Sequence, residues 1–213
     1  GSARCVAFSP DKDFIAIGHE TSPYISVYHW SNDGFGSKVS NPGTLPTNRV
    51  EEVRWSPDGN VIAYGVSGGS VHAYTWSSSG FGTKYSDPSS DSFNDVWSIR
   101  WTPNGDYVLV GGTIASAGQP YFAAYAWTNG SGFGTRYTPG TAPTNRTTGI
   151  HFHPDGDYVA VSQAGSSVFL RTYPWSSSSQ FGSNITAPSG GWSDDTEQVQ
   201  FTAAGNDVAV GGA

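Results

Sequence analysis

The side chains best suited to chemistry near neutral pH are the histidines at 19, 29, 72, 151 and 153. His151 and His153 flank Phe152, so on an extended strand both project to one face, an arrangement that can hold a metal ion. Zinc takes three or four ligands, and no third ligand of matching type recurs nearby, so a solvated or hydrogen-bonded pair is expected. Acidic pairs such as Asp11 with Asp13, or Asp194 with Asp195, fall short of the alternating oxygen ligands of a calcium loop. Serine is abundant, but no strand-to-helix elbow presents one as a nucleophile. The run Gly80-Phe81-Gly82-Thr83-Lys84 lacks the spacing of a phosphate loop. The lone Cys5 excludes both an intrachain disulfide and a cysteine-based zinc site. The expectation is no cofactor, no metal and no enzymatic activity.

The elements that position these residues are repeats. An aromatic followed by Ser, Thr or His and then Pro recurs at Phe8-Ser9-Pro10, Trp55-Ser56-Pro57, Trp101-Thr102-Pro103 and Phe152-His153-Pro154, with an eroded copy at Phe201-Thr202-Ala203. These aromatics lie 47, 46, 51 and 49 residues apart. A Tyr-x-Trp landmark ends at Trp30, Trp76, Trp127 and Trp175, and a third landmark centres on Phe35, Phe81, Phe133 and Phe181. Phe in this third landmark is expected to tuck between neighbouring units, its flanking glycines letting the chain bend.

Each unit resolves into four short strands. Strand a alternates apolar positions up to the opening aromatic. The following turn, as in Pro57-Asp58-Gly59, has type I chemistry: Pro presets φ, Asp bonds the local backbone and Gly accepts positive φ. Strand b is apolar throughout (Ile62-Ala63-Tyr64), strand c ends at the recurrent Trp, and strand d is expected to follow Gly-Phe-Gly. Four strands per period of this length predict an all-β fold, a β-propeller of four-stranded antiparallel blades with four full repeats and a two-stranded half repeat. The repeats run approximately over 3–50, 51–96, 97–147 and 148–196, with the half repeat at 197–213, and together they are expected to form one domain over 3–213. Residues 1–2 (Gly1-Ser2) resemble an expression scar, and the absence of Met suggests excision from a longer product. The half repeat would leave an unpaired edge, so an incomplete fifth blade and association between chains are both open.

The blocks Phe8-Ser9-Pro10-Asp11, Ile15 to His19 and Ser22 to Tyr28 resemble WD40-like propeller repeats. With Asn41-Pro42 and Leu45-Pro46 they look like the variety found in phage, prophage and environmental bacterial sequences. The recurrent Trp is followed by Ser or Thr and not Asp, and Gly-His occurs once, at Gly18-His19. The resemblance therefore implies the looser bacterial or viral type, without that family's buried Asp-His-Ser/Thr-Trp network.

Function is expected where the repeats differ. Beside the opening aromatic, strand a carries Ala7, Arg54, Arg100, His151 and Gln200; the last four are candidates to line a central channel as a partly cationic ring able to bind an anion. The alternative pairs the arginines with Glu51, Glu52 or Asp95. Phe93, Trp97 and Trp192 are candidate loop contacts for a protein or a sugar, with packing between blades as the alternative. The net charge of −7 disfavours nucleic acid, and no apolar run approaches the ~18 residues of a membrane span. The composition indicates no compartment. These features suit a non-enzymatic scaffold for protein interaction or structural assembly, on a phage particle or bacterial surface, with self-association through the open half blade. A lectin-like carbohydrate-binding propeller is the alternative.

Overall fold

The computed structural model describes residues 1–89, 93–165, 168–187 and 196–212. Its first sheet runs β1 (Ala3–Phe8), β2 (Phe14–His19), β3 (Ile25–Ser31) and β4 (Gly34–Lys38). The second is β5 (Val50–Trp55), β6 (Val61–Val66), β7 (Val71–Ser77) and β8 (Gly80–Lys84). The third is β9 (Phe93–Trp101), β10 (Tyr107–Ile114), β11 (Phe122–Thr128) and β12 (Gly132–Tyr137). The fourth is β13 (Thr147–Phe152), β14 (Tyr158–Gln163), β15 (Leu170–Ser176) and β16 (Gln180–Phe181), with β17 (Ile185–Thr186) also paired to β15. A two-stranded hairpin follows, β18 (Thr196–Phe201) and β19 (Val208–Gly212). All pairings are antiparallel between successive strands, apart from the β15–β17 step.

Turn chemistry fixes each unit locally. At the a–b turn the Gly59 amide donates to the Ser56 carbonyl at 2.9 Å, with Gly59 at φ 73°. The Ser56 hydroxyl accepts from the Val61 amide at 3.0 Å and donates to Asp58 at 2.5 Å, tying strand a to strand b. At the c–d turn Gly34, Gly80 and Gly132 hold φ of 100°, 99° and 83°, where a side chain is disfavoured. Gln180 occupies the same place in the fourth unit at φ 58°. Gly-Phe-Gly therefore opens strand d, where strand d was expected to begin after it. Trp76 pairs across the hairpin with Phe81, their rings edge-to-face at 5.0 Å.

Each full sheet has two unlike faces, because side chains alternate along a strand. One face is aromatic: Val53, Trp55, Tyr64, Tyr74 and Trp76 of the second sheet pack on Ala16, Ile25 and Val27 of the first. The other face is small: Ala63, Val71 and Ala73 receive Ile99, Trp101, Tyr125 and Trp127 of the third sheet. Leu109 and Ala124 of the third sheet in turn receive Ile150, Phe152, Tyr173 and Trp175, and Ala160 and Leu170 of the fourth receive Val199 and Val210. Close approach depends on a glycine on strand b. A Cβ on Gly65 would lie 2.3 Å from Val96 Cγ1 and 2.8 Å from the Val96 carbonyl oxygen, one on Gly111 2.3 Å from Thr147 Cγ2, and one on Gly18 2.8 Å from Val50 Cγ1. The fourth sheet has Ser162 there, opposite Gly149 on β13, and its hydroxyl bonds Thr148 Oγ1 at 3.1 Å.

The innermost strands β1, β5, β9, β13 and β18 pack in sequence order. A closed propeller is not what results: among the described residues, β18–β19 forms a sheet of its own, and no extensive contact joins β1 to it. Trp30 and Phe35, expected between blades, lie on the uncovered aromatic face of the first sheet, where Phe35 is 60% exposed. Their counterparts Trp76, Trp127 and Trp175 are buried, with Phe81, Phe133 and Phe181 half-buried beside them. Among the described residues no element packs on that face as the first sheet packs on the second.

Candidate functional site

Arg54, Arg100, His151 and Gln200 occupy one register position on successive innermost strands, opposite Ala63, Leu109, Ala160 and Ala209. The structure brings all four, together with Gln198 and the 209–211 backbone, around one cavity of about 550 Å³. Ala7 takes the same register place in β1 without polar function.

Of the acidic partners considered for the arginines, Glu52 is the one they meet. One of its oxygens accepts from Arg54 Nη2 at 2.5 Å and from Arg100 Nη1 at 2.6 Å. Each guanidinium also donates to the carbonyl of the residue before it, Val53 at 2.9 Å and Ile99 at 2.7 Å. Two cations thus share one carboxylate. Burial, followed by the neighbouring charge of Arg100, holds the Arg54 guanidinium below its ordinary range, only partly offset by Glu52. Burial and then the charges of Arg100 and Arg54 likewise hold His151 below 6.5. His151 Nδ1 accepts from the Phe201 amide at 3.3 Å, which leaves the ring proton on Nε2 and makes neutral His151 a donor through that atom.

Glu51 and Asp95 do other work. Glu51 is buried and accepts from Arg4 Nε at 2.9 Å and from Arg49. Asp95 accepts from the Ser67 and Thr113 hydroxyls at 2.6 and 2.8 Å and from the Gly68 amide at 3.0 Å, joining the second sheet to the third. Burial alone would raise its carboxyl, but these bonds outweigh that and hold it below the ordinary 3.8.

His153 is tied elsewhere, its Nε2 at 3.2 Å from the Gly205 carbonyl and its ring edge-on to Phe201 at 5.2 Å. Among the described residues no three of His, Cys, Asp and Glu gather as a metal site. The Cys5 thiol is pushed up to about 12, first by burial and then by Glu52, which disfavours the nucleophilic thiolate.

Of the loop aromatics, Phe93 and Trp97 lie on a strand and not in a loop, and Phe93 packs between sheets. Phe93 is the first residue of β9 and is buried against the second sheet, because strand a of the third unit begins four residues earlier than the alternation around Trp101 indicates. Trp97 sits within β9, half-buried, with the Arg146 guanidinium 5.7 Å from its ring centroid. Trp192 lies outside the described residues.

Trp97 belongs to a set that sequence reasoning missed. Each strand a carries a bulge, and the extra residues are Arg4, Glu51, Trp97, Thr148 and Glu197. The first four reach sideways between units: Arg4 meets Glu51, Arg146 covers Trp97, and Thr148 donates to the Thr196 carbonyl at 2.5 Å. Each bulge lies four residues before the opening aromatic, and that constant offset was the available signal.

Two further clefts repeat at successive junctions. One of about 110 Å³ is bordered by Asp58, Asn104, Asp106 and Asn129. The next, of about 330 Å³, is bordered by Asn104, Asp155, Asp157 and Ser177. Trp127 and Trp175 form their floors but are buried, so neither offers an open ring face.

A family model described as the anaphase-promoting complex subunit 4 WD40 domain matches residues 6–104, a WD40-like repeat region spanning the first two sheets and the start of the third. No curated protein matches the chain.

Proposed function

We propose that this chain is a non-enzymatic, propeller-type scaffold that binds a protein partner, and that an acidic segment of the partner enters the cavity of the innermost strands. The reading is carried by charge balance: Arg54 and Arg100 share the single carboxylate of Glu52, so one positive charge is uncompensated in a partly desolvated space. Remaining guanidinium N–H groups and the His151 Nε2–H suit a carboxylate. WD40-type repeats serve as scaffolds, which supports the non-enzymatic reading. We assign the setting to a phage particle or bacterial surface, from the resemblance of the Ser22 to Tyr28 block.

Histidine NMR during titration with a blocked acidic peptide tests the site. A bound carboxylate offsets the two arginines, so the His151 titration is expected to move upward from its depressed value, and Arg54→Gln with Arg100→Gln is expected to abolish both binding and shift. Equal affinity for a neutral peptide, or undiminished binding by the double variant, overturns the assignment.

A second reading, glycan binding, draws on the repeated clefts at Asp58/Asn104 and Asn104/Asp155, which place similar polar groups at consecutive junctions. A glycan array separates the two, since the scaffold reading requires a blank result.

A further inference from the structure

Two consecutive junctions carry the same kind of cleft but finish it differently. Between the second and third sheets the floor is Trp127, and the c–d turn places Asn129 beside it. Between the third and fourth sheets Trp175 takes the place of Trp127, and Ser177 that of Asn129. The turns Trp127 to Gly132 and Trp175 to Gln180 have the same length, so the replacement is position for position.

At the first of these clefts the protein supplies its own occupant. Trp127 Nε1–H donates to Asn129 Oδ1 at 3.0 Å, and the same amide donates through Nδ2 to Asp58 Oδ2 at 3.1 Å. One carboxamide thus bridges an indole N–H and a carboxylate.

At the second cleft the tryptophan is held in the same way. Trp175 meets Phe152 and Phe181 edge-to-face at 5.8 and 4.9 Å, as Trp127 meets Trp101 and Phe133 at 4.9 and 5.0 Å. Trp175 is only 7% exposed, yet among the described residues its Nε1 has no acceptor. The Ser177 hydroxyl, which stands where the Asn129 amide would be, accepts instead from Asn104 Nδ2 at 3.3 Å. A buried N–H without an acceptor is uncommon in a folded protein and marks a place where a ligand can supply one. The cleft also has more room, about 330 Å³ against about 110 Å³, and Asp155 and Asp157 border it. Asp155 has His153 Nδ1 no nearer than 3.7 Å, so its oxygens remain able to accept.

We infer that the cleft between the third and fourth sheets binds a primary carboxamide from outside, the side chain of a Gln or Asn on a protein partner, in the role that Asn129 fills at the adjoining cleft. The chemistry selects this group. A carboxylate can accept from Trp175 but is repelled by Asp155 and Asp157, and an ammonium pairs with those carboxylates but offers Trp175 no acceptor. A carboxamide does both at once. A sugar hydroxyl also accepts and donates, but the arrangement the protein itself uses at the adjoining cleft is an amide. The site goes beyond the cavity of the innermost strands and shares no residue with it, so the acidic-peptide test and this one fail separately.

Titration of the isotope-labelled full chain, followed at the tryptophan indole N–H resonances, reads the site directly. The probe is N-acetylglutamine N-methylamide, compared with its alanine, glutamate and lysine counterparts and with the methyl glycoside of N-acetylglucosamine. The glutamine probe is expected to move the Trp175 indole resonance and leave that of Trp127 in place, with each comparison compound binding about tenfold more weakly or worse. Ser177→Asn, at an exposed turn position, supplies the amide in cis. In that variant Trp175 is expected to take on the slow indole hydrogen exchange of Trp127, and affinity for the probe to fall about tenfold or more. Asn129→Ser is expected to do the reverse and make Trp127 respond to the probe, and it carries the test should Ser177→Asn fail to fold. A Trp175 resonance that the glutamine probe leaves unmoved, an alanine or sugar compound that moves it equally, undiminished binding by Ser177→Asn, or a Trp127 that stays silent in Asn129→Ser overturns the inference. Preference for the sugar would return the cleft to the glycan reading.

Discussion

The junction between the second and third sheets and the free face of the first sheet are built from the same residue pattern, yet they differ in nearly every measure of burial. Trp101 and Trp127 meet edge-to-face at 4.9 Å within a closed cluster, and Trp127 is also covered by Tyr85 of the preceding sheet. Phe8 and Trp30 meet in the same way, but among the described residues no other sheet covers them. A propeller-type unit thus encodes a prepared face whether or not a neighbour is there. Sequence pattern specifies the face, and only topology specifies its cover.

The sharpest test of that contrast is truncation of equivalent tryptophans. Trp76→Ala is expected to cost about 3–5 kcal/mol, the range for emptying a buried aromatic site. Trp30→Ala should cost less, because Trp30 is partly exposed where Trp76 is buried. Urea unfolding of both variants measures the gap, and equal losses would remove the distinction between covered and uncovered faces.

Glycine provides the next contrast. Gly65→Val must push a side chain into Val96, including its carbonyl oxygen at 2.8 Å from the ideal Cβ, so a loss near ~3 kcal/mol is expected, the upper part of the usual overpacking range. The same substitution at Gly211 is expected to leave thermal stability unchanged. A tolerated Gly65→Val would mean that the sheets are not held at the spacing seen here.

A smaller effect tests the polar side of the covered junction. The folded Asp95 carboxyl titrates below its ordinary 3.8, so its hydrogen bonds stabilise the protein at pH above that value. That contribution is lost as pH falls through the depressed folded value. Asp95→Asn is expected to lower stability by about 1–2 kcal/mol at neutral pH and to flatten the acid limb of a stability–pH curve. An unchanged limb would show that the clasp from Ser67 and Thr113 contributes nothing.

Much of this was legible in the residues. Aromatic spacing located the opening turns and the c–d hairpins, because each depends on local chemistry: Pro and Asp at one, a glycine at positive φ at the other. The register of Arg54, Arg100, His151 and Gln200 was also visible, since each precedes a recurrent aromatic. The sharing of Glu52 by two arginines was not, because it depends on how closely strands from different sheets approach. Phe93 was misplaced because period-two alternation is interrupted at Trp97 by the bulge. The exposure of Phe35 could not be read either: its local sequence matches Phe81, and the difference lies in what packs on it.

The unlike faces also bear on how such a chain changes over time. Every boundary joins the same pair of shapes, so a whole unit can be duplicated, deleted or exchanged between genes without redesigning the surfaces on either side. Length becomes a matter of counting, and diversification is left to the positions that no boundary uses, among them the inward-facing place held in turn by Ala7, Arg54, Arg100, His151 and Gln200.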